Sequence, residues 1–306
     1  MAARASLSAS TARRSPLRRY HLGVLLLLAP YLVGLLILIL GPMAASFVLS
    51  LTRFDMLRPS QWIGVENFRT LVTDPLFWRA LGNSLWFTFF GVLTRLAAAL
   101  ALALLFNRTR RGTALTRASI YLPTLVPDIA YALVWLLLLN PGFGPLNLFL
   151  GALGLPTAAW LTTPLGARAA VVIMWSFQIG EGFLLLLAAR QTIAPDLLES
   201  ATLDGAGAWA TLRRIILPLM APALLLLAVR DTALSFQASF VPGQITTETG
   251  PYYATYFLPQ FIFDQSIGLF RYGYASAATV VMYAVAAGLI IIQFSLARPW
   301  SRLDDN

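Results

Sequence analysis

The chain has 306 residues, of which 58% are hydrophobic and 11% charged, and its formal net charge is +9. A soluble domain carries about a quarter charged residues, so this composition argues against a cytosolic globular enzyme and for a polytopic membrane protein. All 22 basic residues are arginines, no cysteine is present and His21 is the single histidine. These absences exclude a P-loop lysine, a disulfide, a thiol nucleophile and a histidine zinc cluster, so we predict no catalytic residue and no metal site.

Six stretches of the chain reach the length of about 20 apolar residues that a helix needs to cross a bilayer. In chain order they are Leu22–Leu51, Asn83–Phe106, Ala118–Leu139, Ala169–Ala189, Ile216–Ser239 and Tyr274–Leu296. The first stretch contains Pro30 and Pro42, which a membrane helix tolerates as kinks. It is longer than the apolar region of a secretory signal, so we expect it to be retained. The predicted fold class is an all-α integral membrane protein with six transmembrane helices.

The arginines indicate the orientation of these six helices. Fourteen of them lie before the first span, in the second-to-third and fourth-to-fifth loops, or after the sixth span; six lie in the other loops, and Arg95 and Arg230 lie inside spans. Because basic residues favour the cytoplasmic side, both termini are predicted to be cytoplasmic. We interpret the basic runs as topology signals and predict no nucleic-acid partner. Residues 1–20 are then a disordered cytoplasmic tail, 21–297 the transmembrane domain and 298–306 a second cytoplasmic tail.

Three segments are predicted to face outward; the first and the third carry several aromatic residues, and the second is rich in glycine and proline. They are Thr52–Gly82, where Asp74-Pro75 marks a helix start, Asn140–Arg168 and Val241–Gly273. Aromatic residues beside spans form an interfacial belt in many membrane proteins. A ligand or partner surface is the alternative interpretation.

The loop at 190–218, between the fourth and fifth spans, has strong local helix signals. Pro195 suits the first turn of a short helix that ends near Leu203, and Gly205 suits the left-handed position after a helix. A second helix is expected from Ala208 into the fifth span, with Pro218 marking a bend. The small residues of this loop permit close approach by another protein; an ordinary amphipathic connector is the alternative.

The run Glu199-Ser200-Ala201-x3-Gly205-x9-Ile215-x-Leu217-Pro218 resembles the EAA loop of binding-protein-dependent ABC transporter permeases. Its spacing is kept throughout, and the one departure is Ser200 in place of the second alanine. Three further motif groups are similar to sugar-type permeases. They are Trp62-Ile-Gly-Val-Glu-Asn-Phe68 with Asp74-Pro75 and Asn83-Ser84, Trp135-x4-Asn-Pro-x-x-Gly-x-x-Asn147, and Gly250-Pro-x-x-Ala-Thr255 with Gly273-Tyr-Ala-Ser-Ala277. The resemblance covers most of residues 20–297, and the motif order is similar to the first permease of maltose- and glycerol-phosphate-type importers.

The resemblance implies a permease subunit of an ATP-driven importer for a sugar or sugar-like solute, in a bacterial or archaeal cytoplasmic membrane. Its partners would be a second, distinct permease, two ATP-binding subunits that hold ATP and Mg, and an extracytoplasmic solute-binding protein. No cofactor would be bound by this chain. Glu199 would pair with a basic group on the ATPase, Gly205 would set the turn, and Ser200, Ala201, Leu203 and Asp204 would form the contact. Ile215, Leu217 and Pro218 complete the motif.

Five ionisable residues lie within the predicted spans, where charges are costly and usually functional or paired. They are Arg95, Asp128, Glu181, Arg230 and Asp231. One interpretation is structural ion pairing between spans. Arg230 and Asp231 are adjacent and do not face each other on a helix, so each needs another partner. Arg95 would pair with Asp128 or Glu181 on a neighbouring span.

The other interpretation is a polar cavity for a hydroxylated solute. Its predicted lining residues are Asp128, Gln178, Glu181, Ser235 and Gln237. Gly180 and Gly182 would allow close backbone approach or break the helix there.

Rival functions use the same charges. An ion-coupled secondary transporter would carry its ion on Asp128 and Glu181, and an intramembrane enzyme would use them as an aspartyl dyad. A scaffold without transport is the third alternative, but it leaves the EAA spacing unexplained.

Overall fold

The computed structural model of the protein describes residues 16–107 and 112–301. The chain forms two compact units, residues 1–48 and 49–306. The α-helices in chain order are α1 (Pro16–Leu35), α2 (Gly41–Ser50), α3 (Glu66–Thr73), α4 (Pro75–Leu105), α5 (Thr113–Tyr121), α6 (Asp128–Leu138), α7 (Pro145–Ala152), α8 (Pro164–Phe177), α9 (Gly180–Gln191), α10 (Pro195–Leu203), α11 (Ala208–Thr211), α12 (Leu217–Ala238), α13 (Phe240–Ile245), α14 (Leu258–Phe263) and α15 (Tyr272–Ser301). Two short strands, β1 (Thr52–Arg53) and β2 (Gln61–Trp62), pair antiparallel.

The described part of the first unit is apolar helix. Gly23–Ser50 is long and apolar enough to cross a membrane, and its most apolar window has no buried residue. α1 begins at Pro16, so residues 16–20 of the predicted disordered tail are helical, whereas residues 1–15 lie outside the described part of the chain. Such an uncovered apolar surface is suited to lipid or to another membrane subunit.

Two prolines in these long helices are each preceded by a widened π turn. In the turn Leu36–Leu40 the Gly41 N–H bonds to the Leu36 carbonyl, directly before Pro42. In the turn Leu212–Ile216 the Leu217 N–H bonds to the Leu212 carbonyl, directly before Pro218. Proline has no N–H, and its ring crowds the carbonyl four residues back, so a wider turn keeps the helix continuous.

The second unit is organised around α4, a helix of 31 residues and about 46 Å in length. Its first half packs with α14 and α15 around Phe77, Leu81 and Phe261, and its second half packs with α9 and α12 around Ala103, Phe183 and Met220. The Pro75 end and the Leu105 end of α4 therefore belong to different hydrophobic clusters.

The third and fourth predicted spans are not continuous helices. Thr113–Leu125 and Asp128–Leu138 meet at 104°, because Pro127 forces the preceding residue Val126 into extended backbone. Pro164–Phe177 and Gly180–Gln191 meet at 51°. In the described residues, four helices could therefore cross a membrane, or six if each bent pair counts as one span.

Two span boundaries also differ from the prediction, at the start of α4 and at the end of α15. α4 starts at Pro75, eight residues before the predicted Asn83, because the Asp74 side chain accepts the Leu76 N–H at 2.8 Å and caps the helix. The last helix continues to Ser301, into the predicted tail at 298–306.

The start of α15 packs against the β1 strand through a glycine. The Gly273 N–H bonds to the Phe54 carbonyl at 3.2 Å, and a Cβ at Gly273 would collide with the Thr52 carbonyl oxygen. Gly288, in the middle of the same helix, has nothing within 4 Å of such a Cβ.

This contrast predicts opposite effects for two Gly→Ala substitutions in one helix. Gly273→Ala should destabilise the protein by about 1–3 kcal/mol, since a backbone carbonyl must move. Gly288→Ala should stabilise it by about 0.5–1 kcal/mol, since alanine is the better helix former. The measurement is the apparent unfolding temperature of the purified variants. Equal temperatures would show that the close approach at Gly273 does not exist.

Candidate functional site

The loop between α9 and α12 has the predicted local structure. α10 spans Pro195–Leu203, with Pro195 in its first turn, and α11 begins at Ala208. Gly205 has φ +78°, the left-handed conformation expected of a glycine after a helix. These three predictions are confirmed.

Two backbone hydrogen bonds define how α10 ends. The Gly205 N–H donates to the Thr202 carbonyl at 3.1 Å, and the Ala206 N–H donates to the Ala201 carbonyl at 2.9 Å. This pair is a Schellman motif, in which the residue at the Gly205 position must be left-handed. A Cβ at Gly205 would meet nothing within 4 Å. The turn therefore requires glycine for its backbone conformation alone.

The exposed face of α10 carries all of the predicted contact residues except Ala201. Ala201 is buried and holds the helix against its neighbours, while Glu199, Ser200 and Asp204 are exposed and Leu203 is 88% exposed. Within the described residues, Glu199 has no ion-pair partner. A shallow groove beside the helix is lined by Leu197, Ser200, Ala201, Asp204, Arg214, Ile215, Pro218 and Leu219. The loop thus presents an unpaired carboxylate, small side chains and an exposed leucine on one surface.

The two arms of this loop lead into different membrane helices. α9 ends only a few residues before α10 begins. On the other side of the loop, Ala208–Ile245 forms one helical span of 38 residues that includes the π turn. Ile215, Leu217 and Pro218 are all partly buried at this junction. The exposed helix is therefore held between two helices of the membrane domain.

The α8–α9 break lies beside the predicted polar residues Gln178 and Glu181. α8 ends at Phe177, and the Gln178 N–H still bonds to the Trp175 carbonyl at 3.2 Å. A Cβ at Gly180 would collide with the Thr124 hydroxyl. At Gly182 a Cβ would lie 3.0 Å from the Leu227 side chain. Both glycines permit close packing at the break, as the sequence predicts.

The side chain of Arg95, a residue of α4, lies against the carboxyl end of α8. Its Nη1 donates to the Trp175 carbonyl at 2.7 Å, and its guanidinium lies 4.4 Å from the centre of the Trp175 ring. Its Nε donates to Asp231 Oδ2 at 3.0 Å, and the two side chains are 6% and 1% exposed. The guanidinium supplies positive charge at the carboxyl end of the helix and a second donor to the carbonyl that also accepts the Gln178 N–H.

A second ion pair continues this arrangement. Arg230 pairs with Glu181, and Arg230 Nη1 also lies 3.4 Å from Asp231 Oδ1. Glu181 is in the first turn of α9, where a negative charge is favourable. We call Arg95, Glu181, Arg230 and Asp231 the charge cluster; its formal charges cancel.

The charge cluster corrects two predictions. Arg95 pairs with Asp231 and with neither Asp128 nor Glu181. Arg230 and Asp231 touch although they are adjacent, because the long Arg230 side chain bends back toward its neighbour. The sequence indicates which residues need partners, but their choice depends on how α4, α9 and α12 pack.

The predicted solute-contact residues have different exposures. Glu181, Gln237 and Asp128, the last at the start of α6, are exposed, and Gln178 is partly exposed at the α8–α9 break. Ser235 is fully buried, and its hydroxyl shares a 2.7 Å hydrogen bond with Thr88. Four of the five residues are thus accessible to a solute, while Ser235 lies behind the surface. Solute contact remains a prediction for all five.

A second group of polar contacts, at the Pro75 end of α4, is not predicted by the sequence. Asn83 Nδ2 donates to the carbonyls of Tyr253 and Tyr256 at 2.8 and 2.9 Å. Arg79 donates to the Tyr252 carbonyl at 2.8 Å, and Arg168 donates to the Asn83 side chain at 2.8 Å. The Asn83-Ser84 motif is the one sequence signal for it.

These contacts hold a strained segment. Tyr252 and Tyr253 have φ of 55° and 58°, a left-handed conformation that costs a non-glycine residue about 1–2 kcal/mol. Tyr256 follows; burial, and then its 2.7 Å hydrogen bond to Asp264, raise the pKa of the Tyr256 hydroxyl, so it donates as the neutral phenol. Strain of this kind persists where several contacts fix the backbone.

The fold and the site define an α-helical integral membrane protein with an exposed glycine-terminated loop helix and a charge cluster beside a broken helix. The chain belongs to the family of binding-protein-dependent transport system inner membrane components, whose family model matches residues 95–301. That range includes the loop and the whole charge cluster.

Curated relatives and a solved structure agree with this family. The chain is 29% identical to the probable ABC transporter permease protein YesP of Bacillus subtilis, over 93% of both chains. It is 31% identical to the trehalose/maltose transport system permease protein MalF of Thermococcus litoralis, over 92% of this chain and 95% of the relative.

The solved structure is a bacterial alginate ABC transporter in complex with an alginate pentasaccharide-bound periplasmic protein. A chain of that transporter matches with a TM-score of 0.77 and 26% identity, covering 92% of this chain and 95% of the other. The prediction of a sugar-type ABC transporter permease is confirmed. An ion-coupled transporter is not favoured.

The buried Arg95–Asp231 pair yields a stability prediction. Asp231→Asn should cost about 3–5 kcal/mol, because removing one partner leaves a buried charge unpaired. The matched control is Glu66→Gln, which breaks the exposed Arg69–Glu66 pair and should cost at most about 1 kcal/mol. The measurement is the apparent unfolding temperature in detergent. Similar losses of stability in both variants would contradict the assignment of Arg95–Asp231 as a buried ion pair that the folded state depends on.

Proposed function

We propose that this chain is one permease subunit of an ATP-driven importer that moves a sugar or sugar-like solute through a bacterial or archaeal inner membrane. It crosses the membrane six times, each bent helix pair forming one span, and both termini lie in the cytoplasm. The arginine distribution and the family's inner-membrane description support this topology.

The observation that carries the proposal is the exposed α10 helix with its unpaired Glu199. A separate ATPase docks on it, Glu199 pairs with a basic group of that partner, and Leu203 enters a groove on its surface. The exposed Ser200 allows the close approach, Ala201 supports the contact from the buried side of α10, and Asp204 lies at the edge of the contact. ATP and Mg are bound by the partner, since this chain has no lysine for a P-loop.

Movement of α10 reaches the membrane through both arms of the loop. α9 carries Glu181, and the helix that follows the loop carries Arg230, its ion-pair partner. A displacement imposed by the ATPase therefore acts on two helices that are already tied together. Ile215, Leu217 and Pro218 transmit it at the cytoplasmic end of α12.

The solute contacts Asp128, Gln178, Glu181 and Gln237, whose side chains are at least partly exposed, and Ser235 lies buried behind the surface. Carboxylate and amide groups suit the hydroxyls of a sugar, because each hydroxyl needs a partner when it leaves water. A second, distinct permease completes the pathway, and a solute-binding protein delivers the solute. The periplasmic protein in the alginate transporter supports that last assignment by analogy.

Coupling is tested by reversing a charge on α10 and by disturbing the turn that ends it. Glu199→Arg should abolish substrate-stimulated ATP hydrolysis and uptake in proteoliposomes, because it reverses the exposed charge. Gly205→Ala should weaken both about tenfold, since the left-handed turn costs alanine about 1 kcal/mol or more and shifts the helix.

Two controls match these variants. Asp196→Asn neutralises another exposed carboxylate of α10, and Gly207→Ala adds a methyl group at φ −69°, where nothing lies within 4 Å. Both controls should behave like the wild type. Normal substrate-stimulated uptake in Glu199→Arg and in Gly205→Ala would refute the coupling role.

Solute contact is tested at Glu181 and Asp128. Glu181→Ala and Asp128→Ala should each lower solute affinity or the uptake rate about tenfold at constant expression, because each removes a charged hydrogen-bond acceptor. Glu66→Gln, outside the proposed pathway, is the control. Unchanged affinity and rate in both alanine variants would remove these residues from the pathway.

A further inference from the structure

A pocket of about 460 Å³ opens at the Pro75 end of α4, the end opposite the loop that carries α10. Its floor and walls come from α4, α8 and the segment that follows Gly250. The residues that decide its chemistry are Arg79, Asn83, Trp86, Arg168, Tyr252 and Tyr253. We call it the arginine–aromatic pocket.

The arginine–aromatic pocket carries positive charge without a counter-charge. Arg79 and Arg168 line it, no aspartate or glutamate does, and neither arginine forms an ion pair within the part of the chain described. Arg79 donates to the Tyr252 carbonyl, and Arg168 donates to the Ala254 carbonyl at 3.1 Å and to Asn83. Each guanidinium has five N–H groups, so both keep donors for a ligand.

Aromatic faces surround these donors. Trp86 lies 5.6 Å from the Arg168 guanidinium, which orients the cation against the ring. Tyr252 is 82% exposed and Tyr253 is 49% exposed. The C–H face of a pyranose ring is apolar and packs on such side chains, while a few placed polar groups give orientation.

The pocket is fixed in shape rather than formed by loose surface side chains. Arg79, Asn83 and Arg168 each bond to the backbone of the Tyr252–Tyr256 segment, and Tyr252 and Tyr253 are held in the left-handed conformation. The same side chains that hold the segment also line the pocket. Strained backbone that several contacts fix is typical of binding sites.

We propose that the arginine–aromatic pocket binds an acidic saccharide, with the guanidinium groups on its carboxylate and an aromatic ring against its sugar face. Planar guanidinium groups match carboxylates with two parallel hydrogen bonds. The pocket is an outer subsite, separate from the Glu181 surface. This inference rests on the proposed sugar-import role and specifies the charge of the solute.

The test is equilibrium binding of a tritiated diuronate, a disaccharide of two uronic acids, to the complete transporter in lipid nanodiscs without ATP and without the binding protein. Saturable binding is expected for the wild type, and about tenfold weaker binding for Arg79→Gln, whose amide can still donate to the Tyr252 carbonyl. The methyl ester of the same disaccharide keeps the rings and loses the charges. It should bind about tenfold more weakly than the acid, with equal affinity for wild type and Arg79→Gln.

Two further variants separate the pocket from general effects. Tyr252→Leu removes an aromatic face and should weaken binding of both acid and ester at least threefold. Arg58→Gln removes an exposed arginine of the β1–β2 loop, which does not line the pocket, and should change nothing. Unfolding temperatures of all variants show whether a loss of binding reflects misfolding.

Several outcomes would overturn the inference. These are no saturable binding to the wild type, equal affinities for acid and ester, or unchanged affinity in Arg79→Gln. If the diuronate does not bind while Arg79→Gln weakens association of the binding protein, the pocket is a protein-docking surface and the inference is wrong. Since the assay needs no ATP hydrolysis, a failure of coupling at Glu199 would leave the binding result unchanged, and the two proposals fail separately.

Discussion

The charge cluster depends on one constraint: a helix that breaks inside a membrane domain must satisfy the backbone groups that the break exposes. No water is available in a hydrocarbon layer to pair them. At the α8–α9 break, Arg95 bonds to the Trp175 carbonyl and the Tyr131 hydroxyl bonds to the Met174 carbonyl at 2.8 Å. Once a guanidinium is placed there, a buried carboxylate must balance it, and Asp231 does so.

That balance links four helices. α4 supplies Arg95, α8 supplies the carbonyls, α12 supplies Asp231 and Arg230, and α9 supplies Glu181. The Arg95–Asp231 pair is buried, whereas the Glu181 and Arg230 side chains are 49% and 37% exposed. The Arg95–Asp231 pair is therefore suited to holding the break, and the more exposed Glu181–Arg230 pair is the one suited to rearranging.

The sequence predicts local features well and pairings poorly, for a physical reason. The α10 helix and the Gly205 turn depend on residues within one short segment, so their chemistry is readable from the chain. The break before α6 is also local, since Pro127 dictates it, but continuous apolarity concealed it. The Arg95–Asp231 pair joins residues 136 positions apart, and the arginine–aromatic pocket joins α4 to a segment about 170 positions away. Such contacts depend on how the helices pack. The hydrophobic pattern of one sequence does not show which residues of two packed helices lie side by side.

α4 connects the arginine–aromatic pocket with the α8–α9 break. Its Pro75 half fixes the strained Tyr252–Tyr256 segment through Arg79 and Asn83, and Arg95, further along the same helix, holds the α8–α9 break. Arg168 and the Trp175 carbonyl lie on α8, so this second helix joins the same two sites. A change at the break that shifts α8 along α4 must therefore also strain the Arg168 contacts at the pocket. In that way the proposed docking of an ATPase on α10 would alter the proposed solute binding at the pocket without any separate signalling element, because two packed helices carry both sites.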